Sequence, residues 1–445
     1  MKRRLETLKQ QMRKNCTSVA FGKNATADGS VLMAHNEDGE DEEHPCRHLT
    51  YHPGATYPPG TELKLKSETM SQVSATYAYY SNDGYDFGQR HPVDGINEYG
   101  VAICGNTIYT REQGLQKGGI TVEEYMQLVL ERCKTAREGV NLIAQLQDNY
   151  GQIFGYPDWT GMTYLIADPN EVWAIECASR HWAAKKCPDD GAFFYANEML
   201  LESDYDMASV DLIDYAVEKG WHDRSGGPFS FKDAYGERLG QEWNVDRMKQ
   251  MDILLSPKIG TATVRDLMAL LRDHGYENAP PHAFNPGGYR GDAGHYLICN
   301  SYTRDSEVWH LRSYPPVDIG CVMWCCMSSP CENVFQPIWA GAKGNTPLEY
   351  NVGVDEPDLH SAWWATKSVT RMVDRDYENR IKLVRDTWQQ REAAEFELAA
   401  EREMLAMILW QNGQKDEAVK LLTDLQNICL HGNYLMALNL LGRRI

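Results

Sequence analysis

The stretch from Cys16 to Asp38, CTSVAFGKNATADGSVLMAHNED, constrains this chain more than any other. Two apolar runs flank the cluster Asn24-Ala25-Thr26-Ala27-Asp28-Gly29-Ser30, and Asp-Gly between such runs signals a tight β-hairpin turn. The hairpin starts at a cysteine and ends in His35, Asn36, Glu37 and Asp38, so its Asp38 end returns beside the thiol. A nucleophile next to a group that orients its activating base is the geometry covalent catalysis requires. An ordinary hairpin with a buried cysteine satisfies the same pattern, and the segment alone does not separate the two.

The rest of the chain narrows the class. Its 445 residues suffice for one large domain or two with a full core. The 63 acidic residues against 44 basic ones give a net charge of −19, which argues against a nucleic-acid or anionic-membrane partner. No apolar stretch approaches the ~20 residues that span a bilayer. The basic N-terminus MKRRLETLKQQMRKN lacks the apolar run of a secretory signal, so the expected location is the cytoplasm. The 12 cysteines are scattered through apolar segments and are expected to be reduced and buried.

Along the chain, residues 1–15 read as a short charged leader and 16–110 as strands separated by turns. A polar excursion at 39–60 is expected at the surface near the site. Helical spacing at 121–149 precedes strands at 162–178 and 192–197, helices at about 208–219 and 244–255, and short apolar strands within 295–326. This order fits an α+β fold in which two sheets pack face to face with helices outside. From about residue 360 the pattern turns helical. One long stretch runs to the Asn412-Gly413 break, and two short helices, EAVKLLTDLQNICLHG and NYLMALNLLGRR, follow. This region is expected to dock on the sheets or on a second subunit, which leaves a homo-oligomer open.

Cys16 followed by GKNATADGS, and then His-Asn-Glu-Asp after a small residue, resembles the cysteine dipeptidases of the N-terminal-nucleophile hydrolases. Dipeptidase A and the secernins belong to that family, and the bile salt hydrolases and penicillin V acylases are more distant relatives. GINEYGVAICGNT at 95–107, TYLIADPNEVWAIE at 163–176, FFYANEM at 193–199 and NVDRMKQMDILLSP at 244–257 continue the resemblance, which with the 318–341 stretch covers roughly residues 16–345. It implies a four-layer αββα sandwich over 16–345, a C-terminal helical appendage over 360–445, and hydrolysis of small peptides without a cofactor.

Cys16 is the expected nucleophile. A free α-amine, with a pKa of about 7.7–8.0, could take the proton of a thiol near 8.5, whereas an internal cysteine has only an amide nitrogen. The leader 1–15 is therefore expected to be cleaved between Asn15 and Cys16, by attack of the thiol on the preceding carbonyl. The resemblance implies that Asp38 orients the amine, that Asn106 and Asn197 supply oxyanion donors, and that Arg247 supports the nucleophile by bridging to Asp38. His35 stands where the bile salt hydrolases carry arginine. Glu37 and Glu198 are candidates to receive the cationic amine of a dipeptide. Two other readings are an acyl-amide hydrolase of the bile salt hydrolase or penicillin acylase type, whose pocket would be apolar, and a non-catalytic secernin-like regulator. No metal is expected. Cys321, Cys325, Cys326 and Cys331 lack paired C-x-x-C spacing, and His44, Cys46, His48 and His52 fall in the polar excursion. The loop carrying Gly287, Gly288 and Gly291 has no following Lys-Ser or Lys-Thr and is not a phosphate cradle.

Overall fold

A computed structural model of the chain describes residues 16–39, 46–86, 89–115, 117–154, 160–274, 289–290, 295–296, 298–300, 303–353 and 356–442. The leader 1–15, His44 and the glycines 287, 288 and 291 lie outside the described residues.

Two antiparallel sheets dominate. The first has six strands in the order Ala192–Tyr195, Thr17–Phe21, Val31–Asp38, Thr303–Leu311, Cys321–Met327 and Gln336–Trp339. The second has eight, in the order Met207–Ala208, His181–Lys186, Val172–Ala178, Gly161–Ala167, Ala102–Ile108, Gln89–Asn97, Tyr79–Asp86 and His48–His52. The segment CVMWCCM is buried at every position, and so is TSVAF. A strand covered on both faces reads as a continuous apolar run without period-two alternation, which explains these sequences.

Side-chain parity shows what covers each face. Leu165 and Ala167 join a core shared with Ala20, Met33 and Trp309 of the first sheet, whereas Met162, Tyr164 and Ile166 pack with helices Val122–Arg132 and Ala136–Asn149. Thr121 and Glu124 close a capping box at the start of the first of these helices. The other face of the first sheet meets helix Val264–Leu271 and the C-terminal helices, where Trp324 stacks on Phe396 at 4.0 Å. The architecture is thus mixed α and β with antiparallel sheets.

Three expectations change in detail. The Asp28-Gly29 hairpin forms, but its connection is a nine-residue loop at 22–30 containing the 3-10 turn Lys23–Ala25, not a tight turn. Gly29 takes a φ of +78°, which suits glycine, and the Asp28 carboxylate accepts the Ser30 amide at 3.1 Å. The polar excursion is also partly internal. Arg47 and His48 are buried, and His48–His52 is an edge strand, because Arg47 Nε donates to the buried Asp305 at 2.9 Å.

The C-terminal pattern resolves into Ala362–Asp374, Tyr377–Gln411 and one continuous helix, Lys415–Gly442, in place of two short ones. Gly432 does not break that last helix. It leaves room for the Arg391 guanidinium, which donates to the neighbouring Asn433 at 2.9 Å. The last of these helices joins the first sheet directly, with Trp339 N donating to Gln426 at 3.2 Å, and Tyr350, in the 3-10 turn after that sheet, donates to the Leu430 carbonyl at 2.9 Å. All twelve cysteines are buried and unbridged.

Candidate active site around Cys16

Hairpin register builds the site. Thr17 pairs with Asn36 and Ser18 with His35, so Ser18 and His35 share the face that looks toward the second sheet. One step further along, Cys16 meets Glu37, and its Sγ donates to Glu37 Oε2 at 3.2 Å. A bulge between Glu37 and Asp38 turns the Asp38 carboxylate elsewhere: it accepts from Asn300 Nδ2 at 2.6 Å and Thr303 Oγ1 at 2.7 Å. Asp38 keeps contact with the thiol through its backbone carbonyl, 3.8 Å from Sγ.

The backbone of Cys16 is clamped from two directions. Arg247 Nη1, on helix Glu242–Leu255, donates to the Cys16 carbonyl at 2.7 Å, and Asn106 Nδ2, on strand Ala102–Ile108, donates to the same oxygen at 3.0 Å. Arg247 is fully buried and also donates to Thr17 Oγ1, Asn197 Oδ1 and Asn244 Oδ1 at 3.1, 3.0 and 2.8 Å. Asn106 accepts a short hydrogen bond from Ser18. Asn197 Nδ2 donates to the Thr107 carbonyl at 2.9 Å. Both asparagines spend their amide donors on backbone carbonyls, Asn106 on that of Cys16 itself. Glu198 accepts from the Gly240 amide at 2.9 Å and stands near Glu176 rather than the thiol.

Electrostatically the site is a buried acidic enclosure. Burial, reinforced by Glu37 and Asp38, pushes the Cys16 thiol well above its ordinary pKa. Burial also lifts Asp38 to about 7, against the pull of Thr303, Asn300 and the charge of Arg247. His35 is fully buried, with Nδ1 2.8 Å from Asp94 Oδ2 and Nε2 3.9 Å from Glu37 Oε2. Burial holds its pKa below the usual value, although Glu37, Asp305 and Asp38 pull it upward.

Sequence reasoning missed Asp94, Arg47, Asp305, Glu307 and Asn82. Asp94 sits beside the GINEYG motif, and Asp305 and Glu307 are two apart on a strand, so both face the same side. Two acids at period two in the strand TRDSEVWHL were the available signal. Carboxylate oxygens of Asp94, Asp305 and Glu307 lie within 4.8 Å of one another, as do donor atoms of His274, Cys299 and Cys331. In the first group Arg47 already neutralises Asp305, and Asn82 donates a short hydrogen bond to Glu307. Cavities of about 400 and 780 Å³ line helix Tyr377–Gln411, on the face of the first sheet turned away from the thiol.

The chain resembles known proteins over most of its length. A probable dipeptidase of Latilactobacillus sakei is 26% identical over 400 residues, covering 81% of this chain and 81% of its own. A dipeptidase of Bifidobacterium longum is 24% identical over 423 residues, covering 81% and 77%. Among solved structures, penicillin V acylase from Agrobacterium tumefaciens aligns with a TM-score of 0.43 at 13% identity, covering 73% of this chain and 86% of its own. The family model for peptidase family C69 matches residues 15–390. The chain therefore belongs to peptidase family C69.

Proposed function

We propose that this chain is a cysteine dipeptidase of the N-terminal-nucleophile kind, with Cys16 exposed by self-cleavage after Asn15. On this reading the two sheets and their flanking helices form the αββα sandwich of that superfamily over 16–345, and 360–445 is its helical appendage. The observation that carries the proposal is the placement of Cys16: its thiol is hydrogen-bonded to Glu37 while Arg247 and Asn106 hold its carbonyl. Relatives named as dipeptidases support the substrate class.

The electrostatics favour this chemistry. A thiol raised by burial and by Glu37 and Asp38 is a poor nucleophile, and the α-ammonium released by cleavage would bring positive charge to those carboxylates. In the proposed reaction the α-amine takes the thiol proton and Sγ attacks the peptide carbonyl carbon. A thioester forms as the amine product leaves, and water then hydrolyses it. Asn106 and Asn197 would serve as oxyanion donors once the Cys16 carbonyl and its surroundings reorganise around substrate. Acidic surroundings suit the cationic amine of a dipeptide better than an apolar acyl chain, which favours the dipeptidase over the acylase reading. Twelve unbridged cysteines fit a reducing, cytoplasmic compartment.

Intact mass spectrometry of wild type and Cys16→Ala, alongside a dipeptide panel read by amine release, tests the proposal. Loss of residues 1–15 and hydrolysis in wild type only is the expected result. An intact leader without turnover in wild type overturns it.

A further inference from the structure

While its nitrogen is still acylated, Cys16 has no α-amine to serve as base, so self-cleavage needs a proton acceptor among the side chains. Within the described residues the thiol faces acids and one imidazole. Glu37 Oε2 accepts the S–H at 3.2 Å, and His35 Nε2 stands 3.9 Å from that same oxygen. Donor atoms of Cys16, His35 and Glu37 all lie within 4.8 Å of one another. On the far side of the ring, Nδ1 is engaged by Asp94 at 2.8 Å. Nε2, in contrast, is buried without a hydrogen-bond partner. Leaving a buried ring nitrogen unsatisfied costs about 1–3 kcal/mol, so its orientation calls for an explanation.

We propose that Glu37, His35 and Asp94 form the proton relay that activates Cys16 before the leader is removed, an inference that rests on the self-cleavage reading above. Glu37 touches the reacting thiol, His35 receives the proton from it, and Asp94 holds the imidazole in position. The S–H proton passes to Glu37 Oε2 and on to His35 Nε2, and Sγ bonds to the carbonyl carbon of Asn15. The Asn15–Cys16 C–N bond breaks as the relay returns its proton to the departing nitrogen, leaving a thioester and a free α-amine. One water then hydrolyses the thioester, releasing the leader as a carboxylic acid and restoring the thiol. No oxidant or reductant takes part.

The surroundings suit a transient imidazolium. Glu37 and Asp38 lie on its own strand, Asp94 comes from strand Gln89–Asn97, Asp305 and Glu307 from strand Thr303–Leu311, and Arg47 precedes strand His48–His52. Glu307 is also the direct cross-strand partner of His35. A positive ring would therefore stand between the Glu37 and Asp94 carboxylates, with Arg47 the opposing cation. Burial, with Asp305 and Glu37, pushes the Asp94 carboxyl well above its ordinary pKa.

The test follows leader loss by intact mass during cell-free synthesis of the full chain, for wild type, His35→Gln and Asp94→Asn from pH 5 to 9, with melting temperatures of each. In wild type the cleavage rate should rise with pH through a single ionisation. His35→Gln should slow it at least about ten-fold and erase that ionisation from the profile, with Asp94→Asn between the two. Cleavage of His35→Gln at the wild-type rate overturns the relay. A slowed rate with an unchanged profile and a lowered melting temperature also overturns it, by marking a structural role. Wild type that keeps its leader throughout fails the self-cleavage reading and the relay with it, a result distinct from the other two.

Discussion

The two faces of strand Val31–Asp38 treat polar side chains in opposite ways. On the face toward helix Val264–Leu271, Asn36 is saturated: its amide donates to Leu271 O at 3.0 Å and Ile298 O at 2.9 Å, and its oxygen accepts from Ser306 at 2.6 Å. On the face toward the second sheet, His35 Nε2 and Asp305 Oδ2 are buried without hydrogen-bond partners. A satisfied buried amide holds a strand in place, whereas under-satisfied titratable groups keep unused proton capacity in a low-dielectric space. We read one face as serving stability and the other as serving the proposed chemistry, although they alternate along the same eight residues.

Substitutions on each face should separate these roles. The largest effect is expected from Cys16→Ala on the inner face, where dipeptide hydrolysis read by amine release should fall about 10⁴-fold or more with little change in melting temperature. On the outer face, Trp324→Ala removes a buried indole stacked on Phe396 and should cost about 3–5 kcal/mol in urea denaturation. Its turnover per folded molecule should stay within about two-fold, and a larger loss would erase the division between faces.

Arg247→Met serves both purposes. It leaves the acceptors Cys16 O, Asn197 Oδ1 and Asn244 Oδ1 without their charged donor, so stability should drop on the order of 3 kcal/mol and turnover should fall as well. Asp38 gives a smaller, pH-shaped effect. Its folded pKa of about 7 exceeds the unfolded value of about 3.9, so the folded chain keeps a proton that the unfolded chain releases in that window. Stability contributed by this group is full below pH 4, falls as pH rises toward 7, and levels off above. Urea titrations of Asp38→Asn from pH 4 to 8 should show that falling slope reduced by about one proton. Smallest of all, Glu403→Gln weakens a partly exposed pair with Arg312 and should cost no more than about 1 kcal/mol.

Sequence reading and structure diverge where partners come from distant strands. The hairpin that starts at Cys16 and the helix carrying Arg247 were legible, because apolar periodicity and turn chemistry are local signals. Glu37 was named from its adjacency to Asp38, yet only the pairing register shows that it, and not the Asp38 carboxylate, faces the thiol. Glu198 was named on the same kind of adjacency and instead turns to the Gly240 amide. The enclosure formed by Asp94, Arg47 and Asp305 was invisible, since a buried charge in sequence looks like a solvated one. The continuous helix Lys415–Gly442 was misread at Gly432, whose backbone freedom was weighed without knowledge of the Arg391 side chain filling the space beside it.

By itself the sequence determined that a hairpin returns the His35–Asp38 end beside Cys16 and that His35 and Glu37 share a face of their strand, because side chains alternate with a period of two and the Asp28-Gly29 loop sends the chain back. Only the tertiary structure decided what faces them. Asp94, 59 residues from His35, and Arg247, 231 residues from Cys16, arrive through the stacking of one sheet on the other and the docking of a helix across their end. Those contacts depend on non-local packing, which no short stretch of sequence encodes.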